Sequence, residues 1–317
     1  MSWAARFGGA RATARRYFAA LVPLAGLCEL AAHHHFAERA PRFEAWAAVD
    51  EPVNRLRQAG DLLVVAPRWA EPMARRKLGD QDMLLADLAR PDVDRYRTAI
   101  ELSILGQRAP ELAGWRELGR EKVGKFELRR LENPRPLPVT FDFVGALGPE
   151  QVSVQMVGPG VTPCPWAAQA PVLAPGRGGH PTFPARRFAC PLGELFNVGV
   201  TVIADQDFLP RRCIWAHPPA WGELKIRYRK VDLGEVIAGH GGMDWMIERE
   251  LHGAPIRLTV KVDGQTVGEA IHRDGQGWAR FEFGLGAHAH ARGAEVEFAV
   301  SSPNYQNRHF CFEANTR

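Results

Sequence analysis

The chain carries none of the short motifs that commonly mark an enzyme. It has no Gly-x-Ser-x-Gly elbow, no phosphate-cradling glycine loop and no His-Glu-x-x-His helix, so the usual signs of an α/β-hydrolase, a P-loop NTPase and a zincin are missing. Serine is scarce, and no two of the five cysteines stand two to four residues apart as a zinc knuckle requires. No cofactor and no metal is expected on these grounds. Charge of one sign is missing too: 40 basic and 36 acidic residues leave +4 across 317 residues. The arginine pairs Arg75-Arg76, Arg129-Arg130, Arg186-Arg187 and Arg211-Arg212 are scattered, with no aromatic platform or recognition-helix pattern, so nucleic acid is not an expected partner.

Long apolar runs are also few. The main one, Tyr17 to Ala32, is 16 residues long, short of the roughly 20 that a straight spanning helix needs. Arg11, Arg15 and Arg16 precede it, and Arg15-Arg16-Tyr17-Phe18 has the form of a twin-arginine export signal. Residues 1–36 therefore read as a signal or membrane-anchor segment, with the membrane engaged through residues 17–32. Glu29 and Leu30 spoil most small-residue cleavage frames, which favours an uncleaved anchor over a cleaved signal. Glu29 is also costly in hydrocarbon, so an ordinary buried amphipathic helix stays open as a third reading. The first two place the rest of the chain outside the cytoplasm.

Setting Cys28 aside leaves Cys164, Cys190, Cys213 and Cys311, an even number in the C-terminal half. An exported domain makes two disulfides the natural inference, with Cys164–Cys190 and Cys213–Cys311 the preferred pairing, since Cys213 and Cys311 both lie in strand-like segments. Four reduced, buried thiols are the alternative.

Between residues 37 and 133 the pattern suggests a small α/β domain. Phe43, Trp46, Val49, Val53 and Leu56 recur at helical spacing across 37–59, and Gly60 to Pro67 reads as a buried strand. Helices are expected over about 81–89 and 92–105, and an alternating strand over 125–131. Three prolines within Asn133 to Pro138 then interrupt the chain. Residues 134–317 are strand-like: 139–144, 151–157, 196–203, 212–216, 223–228, 256–262, 266–271, 278–283, 294–300 and 308–313. Short strands at this spacing point to an antiparallel β-sandwich, jelly-roll-like, so the fold class is α+β. Asp263-Gly264 supplies the turn of one tight hairpin.

With these residues in view, two resemblances stand out. The basic arm, the apolar helix, the Gly-Asp-Leu-Leu-Val-Val-Ala-Pro-Arg-Trp strand and the later Val-Gly-Lys-Phe-Glu-Leu-Arg-Arg-Leu strand resemble the extracytoplasmic soluble portion of polyprenyl-phosphate-dependent glycosyltransferases of the protein-mannosyltransferase type, over residues 15–133. Residues 140–317 look like a galactose-binding-like β-sandwich, the fold of many carbohydrate-binding modules. The spanning helices and membrane-proximal acidic residues of those transferases are absent, so the resemblance implies an accessory or stand-alone appendage.

The most site-like loop is His272-Arg273-Asp274-Gly275-Gln276-Gly277-Trp278. Its glycines allow close backbone approach, Trp278 offers a flat face to the apolar side of a sugar ring, and His272, Arg273 and Asp274 offer hydrogen bonds to hydroxyls. His240, Asp244 and Trp245 form a similar group. In the bland reading Trp278 packs into the core and Asp274-Gly275 is only a turn. Trp215, beside Cys213, is expected in the core. Metal ligation by His33-His34-His35 or His288-Ala289-His290 is outweighed by solvated polar roles. Asp205, Asp207, Glu248 and Glu250 are the carboxylates a hydrolase would draw on. Three functions follow in order: an envelope protein whose sandwich binds a glycan or a membrane-protein partner, an accessory or catalytic part of an envelope glycosyltransferase or glycan-processing enzyme, and a structural spacer.

Overall fold

The computed structural model describes the backbone of residues 4–174 and 180–317, with side chains from residue 21 onward except Phe36. The side chains of Arg11, Arg15, Arg16 and Tyr17 to Ala20 lie outside the described residues. The chain forms two compact units, residues 1–83 with 98–134, and residues 84–97 with 135–317.

The first unit begins with a long helix, α1 (Ala4–Arg39), which contains Pro23. Its described side chains from Leu21 to His35 are exposed. Among the described residues no helix is long and apolar enough to cross a membrane. The run at 17–32 is too short, and Glu29 interrupts it.

The helix expected over 37–59 is broken at Pro41. After Pro41 comes a 3-10 turn, Phe43–Val49, followed by α2 (Asp50–Leu56), with Pro52 in its first turn. Pro at the start of a helix removes only an N–H that would have no partner there. Trp46 and Val53 are fully buried, and the Trp46 ring meets Phe126 edge-on at 4.9 Å. A further helix, α3 (Glu71–Leu78), and four strands complete this unit: β1 (Leu62–Ala66), β2 (Thr98–Ile104), β3 (Arg116–Val123) and β4 (Phe126–Glu132). They lie in the order β1-β2-β4-β3, with β1 and β2 parallel and the other pairs antiparallel.

The helix expected over 92–105 is not formed, and its C-terminal half is strand β2. Ile100, Leu102 and Ile104 repeat every second residue, and that period won over the helical one because β1 and β4 supply hydrogen-bonding partners on both sides. The expected helix at 81–89 shrinks to a single turn, α4 (Leu85–Leu88).

The second unit is the sandwich. Its strands are β5 (Phe141–Asp142), β6 (Val152–Val157), β7 (Val161–Cys164), β8 (Trp166–Ala167), β9 (Arg187–Ala189), β10 (Asn197–Ala204), β11 (Pro210–Ala216), β12 (Glu223–Val231), β13 (Val236–Met243), β14 (Ile256–Val262), β15 (Gln265–His272), β16 (Ala279–Gly284), β17 (Ala294–Ser301) and β18 (Phe310–Thr316), with one helical turn, α5 (Trp245–Glu248), after β13. One sheet runs β16-β13-β18-β11-β10-β9-β8 with β5 beside β18, and the other runs β15-β14-β17-β12-β6-β7. Every pairing within them is antiparallel. Successive strands from β11 onward repeatedly change sheet, which places apolar side chains from both in one core. Phe143, Tyr228, Phe298 and Phe312 are fully buried at its centre, and the Tyr228 hydroxyl donates to the Phe143 carbonyl at 2.9 Å.

The β14–β15 hairpin turns at Asp263 and Gly264, both with positive φ, 47° and 82°, as the Asp-Gly pair led us to expect. Disulfides join Cys164 to Cys190 and Cys213 to Cys311. The second links β11 to β18 within a smaller core shared with Phe183, Ile203 and Trp215. These cross-links are what an oxidising, exported environment would produce.

Candidate functional site

Three loops meet beside α5: 205–209 between β10 and β11, 245–253 after β13, and 273–277 between β15 and β16. Buried carboxylates hold them. Glu248 is fully buried. Its Oε1 accepts from the Met243 N–H at 3.0 Å and also bonds the His272 Nε2, while Oε2 accepts from the Gly275 N–H at 2.8 Å. One side chain thus ties the end of β13, the end of β15 and the 273–277 loop together. Asp274 Oδ2 accepts from the Gly253 N–H at 2.8 Å, and its Oδ1 takes Nη1 of Arg308. Burial pushes the Asp274 carboxyl up, but Arg308 and the Gly253 N–H outweigh it, leaving the group below its ordinary range. Asp244 caps α5 through the Met246 N–H at 3.1 Å, and burial raises its carboxyl.

Asp205 does the same for the β10–β11 turn. Its Oδ1 accepts from the N–H groups of Asp207 and Leu209, both at 2.9 Å, and its Oδ2 takes Nε of Arg211 at 2.7 Å. The turn it braces presents Phe208, which is 58% exposed and has a left-handed φ of 59°. Leu251, 68% exposed, is also left-handed at 59°. An exposed, bulky apolar residue in that region is costly twice over, in backbone strain and in hydration. The Arg249 guanidinium lies 4.8 Å from the Phe208 ring and 5.2 Å from the Trp245 ring. The two rings are 5.1 Å apart, and Arg249 Nη2 donates to the Gln206 carbonyl at 3.1 Å. Phe208, Trp245 and Arg249 therefore form one cation–π assembly on a braced support.

The loops crowd each other where glycine permits it. A Cβ on Gly275 would stand 2.9 Å from the Leu251 side chain, and one on Gly277 3.2 Å from Gln206. Both glycines have positive φ.

The structure sorts the residues singled out in the sequence. His272, Asp274 and Asp244 are buried or half-buried supports of the loops. Arg273 is exposed and Trp245 half-buried, and the backbone N–H of Arg273 donates to the Gln276 side chain at 2.7 Å. Trp278 is half-buried, packed on the core around Cys213–Cys311, with the His240 ring parallel to it at 6.4 Å and the Arg211 guanidinium at 5.9 Å. His240 lies in β13 rather than in a loop, and its Nδ1 pairs with Glu313 at 2.8 Å. Burial raises the Glu313 carboxyl even though His240 pulls the other way. Of the four carboxylates a hydrolase would draw on, Asp205 and Glu248 are buried braces, Asp207 is exposed and Glu250 is half-buried. His33, His34 and His35 are exposed along α1. His288 ends a 3-10 turn, so the extended His288-Ala289-His290 arrangement does not occur. Among the described residues no three His, Cys, Asp or Glu side chains stand together to hold a metal.

Sequence reasoning missed Phe208, Arg249 and Leu251. The available signal was an aromatic inside the turn Asp205-Gln206-Asp207-Phe208-Leu209-Pro210, where polar residues would ordinarily serve.

No protein-family model matches the chain, and no curated protein does, so the transferase resemblance of residues 15–133 finds no support. Solved structures that resemble it include the CBM51-2 and INT domains of Clostridium perfringens ZmpB in complex with GlcNAc, at 13% identity over 37% of this chain and 25% of that one, with a TM-score of 0.28. The chain thus spans a quarter of that structure. A CBM51 from Clostridium perfringens GH95, in complex with methyl-galactose, matches at 13% identity over 37% of this chain and 81% of that one, TM-score 0.27. TmCBM61 with β-1,4-galactotriose matches at 12% identity over 37% and 77%, TM-score 0.21. Likenesses this remote carry no argument about what this chain binds.

Proposed function

We propose that the chain is an exported protein whose β-sandwich binds a glycan of the cell envelope, and that the loop cluster around Phe208, Trp245 and Arg249 is the binding face. One observation carries the reading: an exposed Phe208 ring, a half-buried Trp245 ring and the exposed Arg249 guanidinium are held together on turns that buried carboxylates brace, at the cost of left-handed backbone at Phe208 and Leu251. Sugar recognition needs a flat apolar face for the C–H side of a pyranose and fixed donors for its hydroxyls. Trp245 and Phe208 supply the first, and Arg249, Arg273 and Gln276 the second. His272, Asp274, Asp244 and Glu248 act as supports that keep the face rigid before ligand arrives.

Delivery outside the cytoplasm rests on the two disulfides together with the arginine-led apolar run at 17–32, which is of signal-segment length. In this reading the N-terminal segment targets the protein and does not span the bilayer. The test is a glycan array probed with the full chain and with Trp245→Ala. Saturable binding that the variant loses supports the proposal. Binding that survives the substitution, or no binding to any envelope glycan, would leave a protein-partner surface or a spacer as the better account.

A further inference from the structure

A second cleft, in the sandwich unit but formed by none of the loop-cluster residues, has a charge that the protein leaves unanswered. The segment 84–97 packs on this unit, and the Arg212 N–H donates to the Ala89 carbonyl at 3.1 Å. Between them lies a polar cleft of about 110 Å³, lined by Asp87, Arg90, Arg95, Tyr96, Asp142 and Arg212 among others. Its carboxylates are already engaged. Asp87 accepts from the Tyr96 hydroxyl at 2.9 Å. Asp142 Oδ1 accepts from the Val144 and Gly145 N–H groups at 3.0 and 3.2 Å, and Oδ2 lies 3.5 Å from Arg95. Glu313, which also lines the cleft, holds His240. Arg90 Nη1 donates to the Asp87 carbonyl at 2.6 Å.

Arg212 differs from these neighbours. It is half-buried, and among the described residues its guanidinium makes no hydrogen bond and no ion pair. It also lines a second, adjoining cleft of about 460 Å³ together with Leu85, Ala86, Thr182, Val200 and Val202. That volume is in the range of small-molecule sites, and its lining is mostly apolar. Arg212 and Ala86 are common to both clefts. Among the described residues β9 pairs only with Asn197 and Val198 of β10, and further along the strand the Thr201 hydroxyl donates to the Thr182 carbonyl at 2.7 Å.

A half-buried guanidinium has lost part of its hydration, and the group that best restores it is a planar oxyanion able to take two parallel N–H donors. We propose that Arg212 anchors a second ligand site, for a monocarboxylate carrying an apolar body, with the carboxylate on the guanidinium and the body along Leu85, Val200 and Val202. The site is independent of the glycan reading, because it shares no residue with the loop cluster.

The experiment is an NMR titration of the isotope-labelled full chain with octanoate, octanol and acetate, repeated on Arg212→Gln. Octanoate is expected to saturate, with shifts concentrated in residues 84–97 and 200–212. Octanol, which lacks the charge, and acetate, which lacks the body, should each bind at least 10-fold more weakly. Arg212→Gln should lose at least 10-fold in octanoate affinity while its melting temperature stays put, since the wild-type side chain has no internal partner to lose. If that variant does not fold, Arg212→Lys takes its place: it keeps the charge without the bidentate fork and should bind octanoate several-fold more weakly. Octanol binding as tightly as octanoate, shifts confined to other regions, no saturable binding, or an unchanged affinity in the variant would each overturn the proposal.

Discussion

Single side chains explain most of what distinguishes the loop cluster. Phe208 is exposed and Trp245 half-buried, while Asp205, Glu248 and His272, which brace their loops, are buried, so ligand contact and structural support are divided between different residues. Replacing Phe208 or Trp245 by alanine should cost at least 10-fold in glycan affinity, and Phe208→Ala, at an exposed position, should change stability by less than about 1 kcal/mol, as surface truncations do. Calorimetric titration beside a thermal melt reads both. Glu248→Ala should do the reverse: it strands the Met243 and Gly275 N–H groups and the buried His272 ring, at about 2–4 kcal/mol by the cost of unpaired buried polar groups. A urea titration of the variant measures that cost.

Two other histidines set a pH limit. His217 and His309 are buried with ring centroids 5.8 Å apart, near Trp215. Burial is the main reason that both are pushed down to about 4, with Arg308 nearby adding to it in each case and His217 and His180 adding to it at His309. Because the folded value lies below the unfolded 6.5, the unfolded chain binds more protons beneath that pH. The contribution is therefore complete above about pH 6.5 and is lost as pH falls from there toward 4. At pH 5 the loss comes to roughly 2 kcal/mol per histidine. Urea titrations at pH 7 and pH 5 should show it, and His309→Phe should remove about half of the difference, leaving the share of His217.

The individual elements show which sequence signals were legible. Alternation identified β4, β6 and β12, and Asp263-Gly264 identified its hairpin, because in each case the strand pattern is local and the other face is core. The signal failed where tertiary contact overrode a local reading. Tyr96, Ile100 and Ile104 suggest a helical stripe in isolation, but β1 and β4 recruit Thr98–Ile104 as a strand between them. The stretch His240-Gly241-Gly242-Met243 suggests a loop, yet it lies within β13, between β16 and β18. Its glycines are there for closeness: a Cβ on Gly239 would stand 2.1 Å from the Glu313 carbonyl oxygen, and one on Gly242 2.9 Å from that of Gly277. Gly239→Ala should therefore destabilise the sandwich by about 2 kcal/mol or more, as overpacking against backbone does, with a lowered urea midpoint as the readout. The binding face was only half legible for a related reason. Loops 205–209, 245–253 and 273–277 are far apart in sequence, and of the residues proposed to meet ligand only Trp245 and Arg273 stood out before the fold brought Phe208 and Arg249 beside Trp245.

At the scale of the whole molecule, the balance of charge, the four paired cysteines and the succession of short strands were enough to give an α+β chain with an antiparallel sandwich. Cys213 and Cys311 are 98 residues apart in sequence, so their bond closes a long loop in the unfolded chain and contributes on the order of 4–5 kcal/mol in the chain-entropy account. Adding a reductant should lower the melting temperature of the sandwich markedly. The claim on which the rest depends is that this sandwich meets a glycan through the Phe208 and Trp245 face. The most direct measurement is the indole N–H spectrum of the labelled protein, whose nine tryptophans give separate resonances, with Trp245 assigned by Trp245→Phe and Trp278 by Trp278→Phe. Titration with the glycan that an array selects should shift the Trp245 indole saturably and leave that of Trp278 in place. A shift at Trp278 with Trp245 unmoved, or no indole shift at all, would contradict the account.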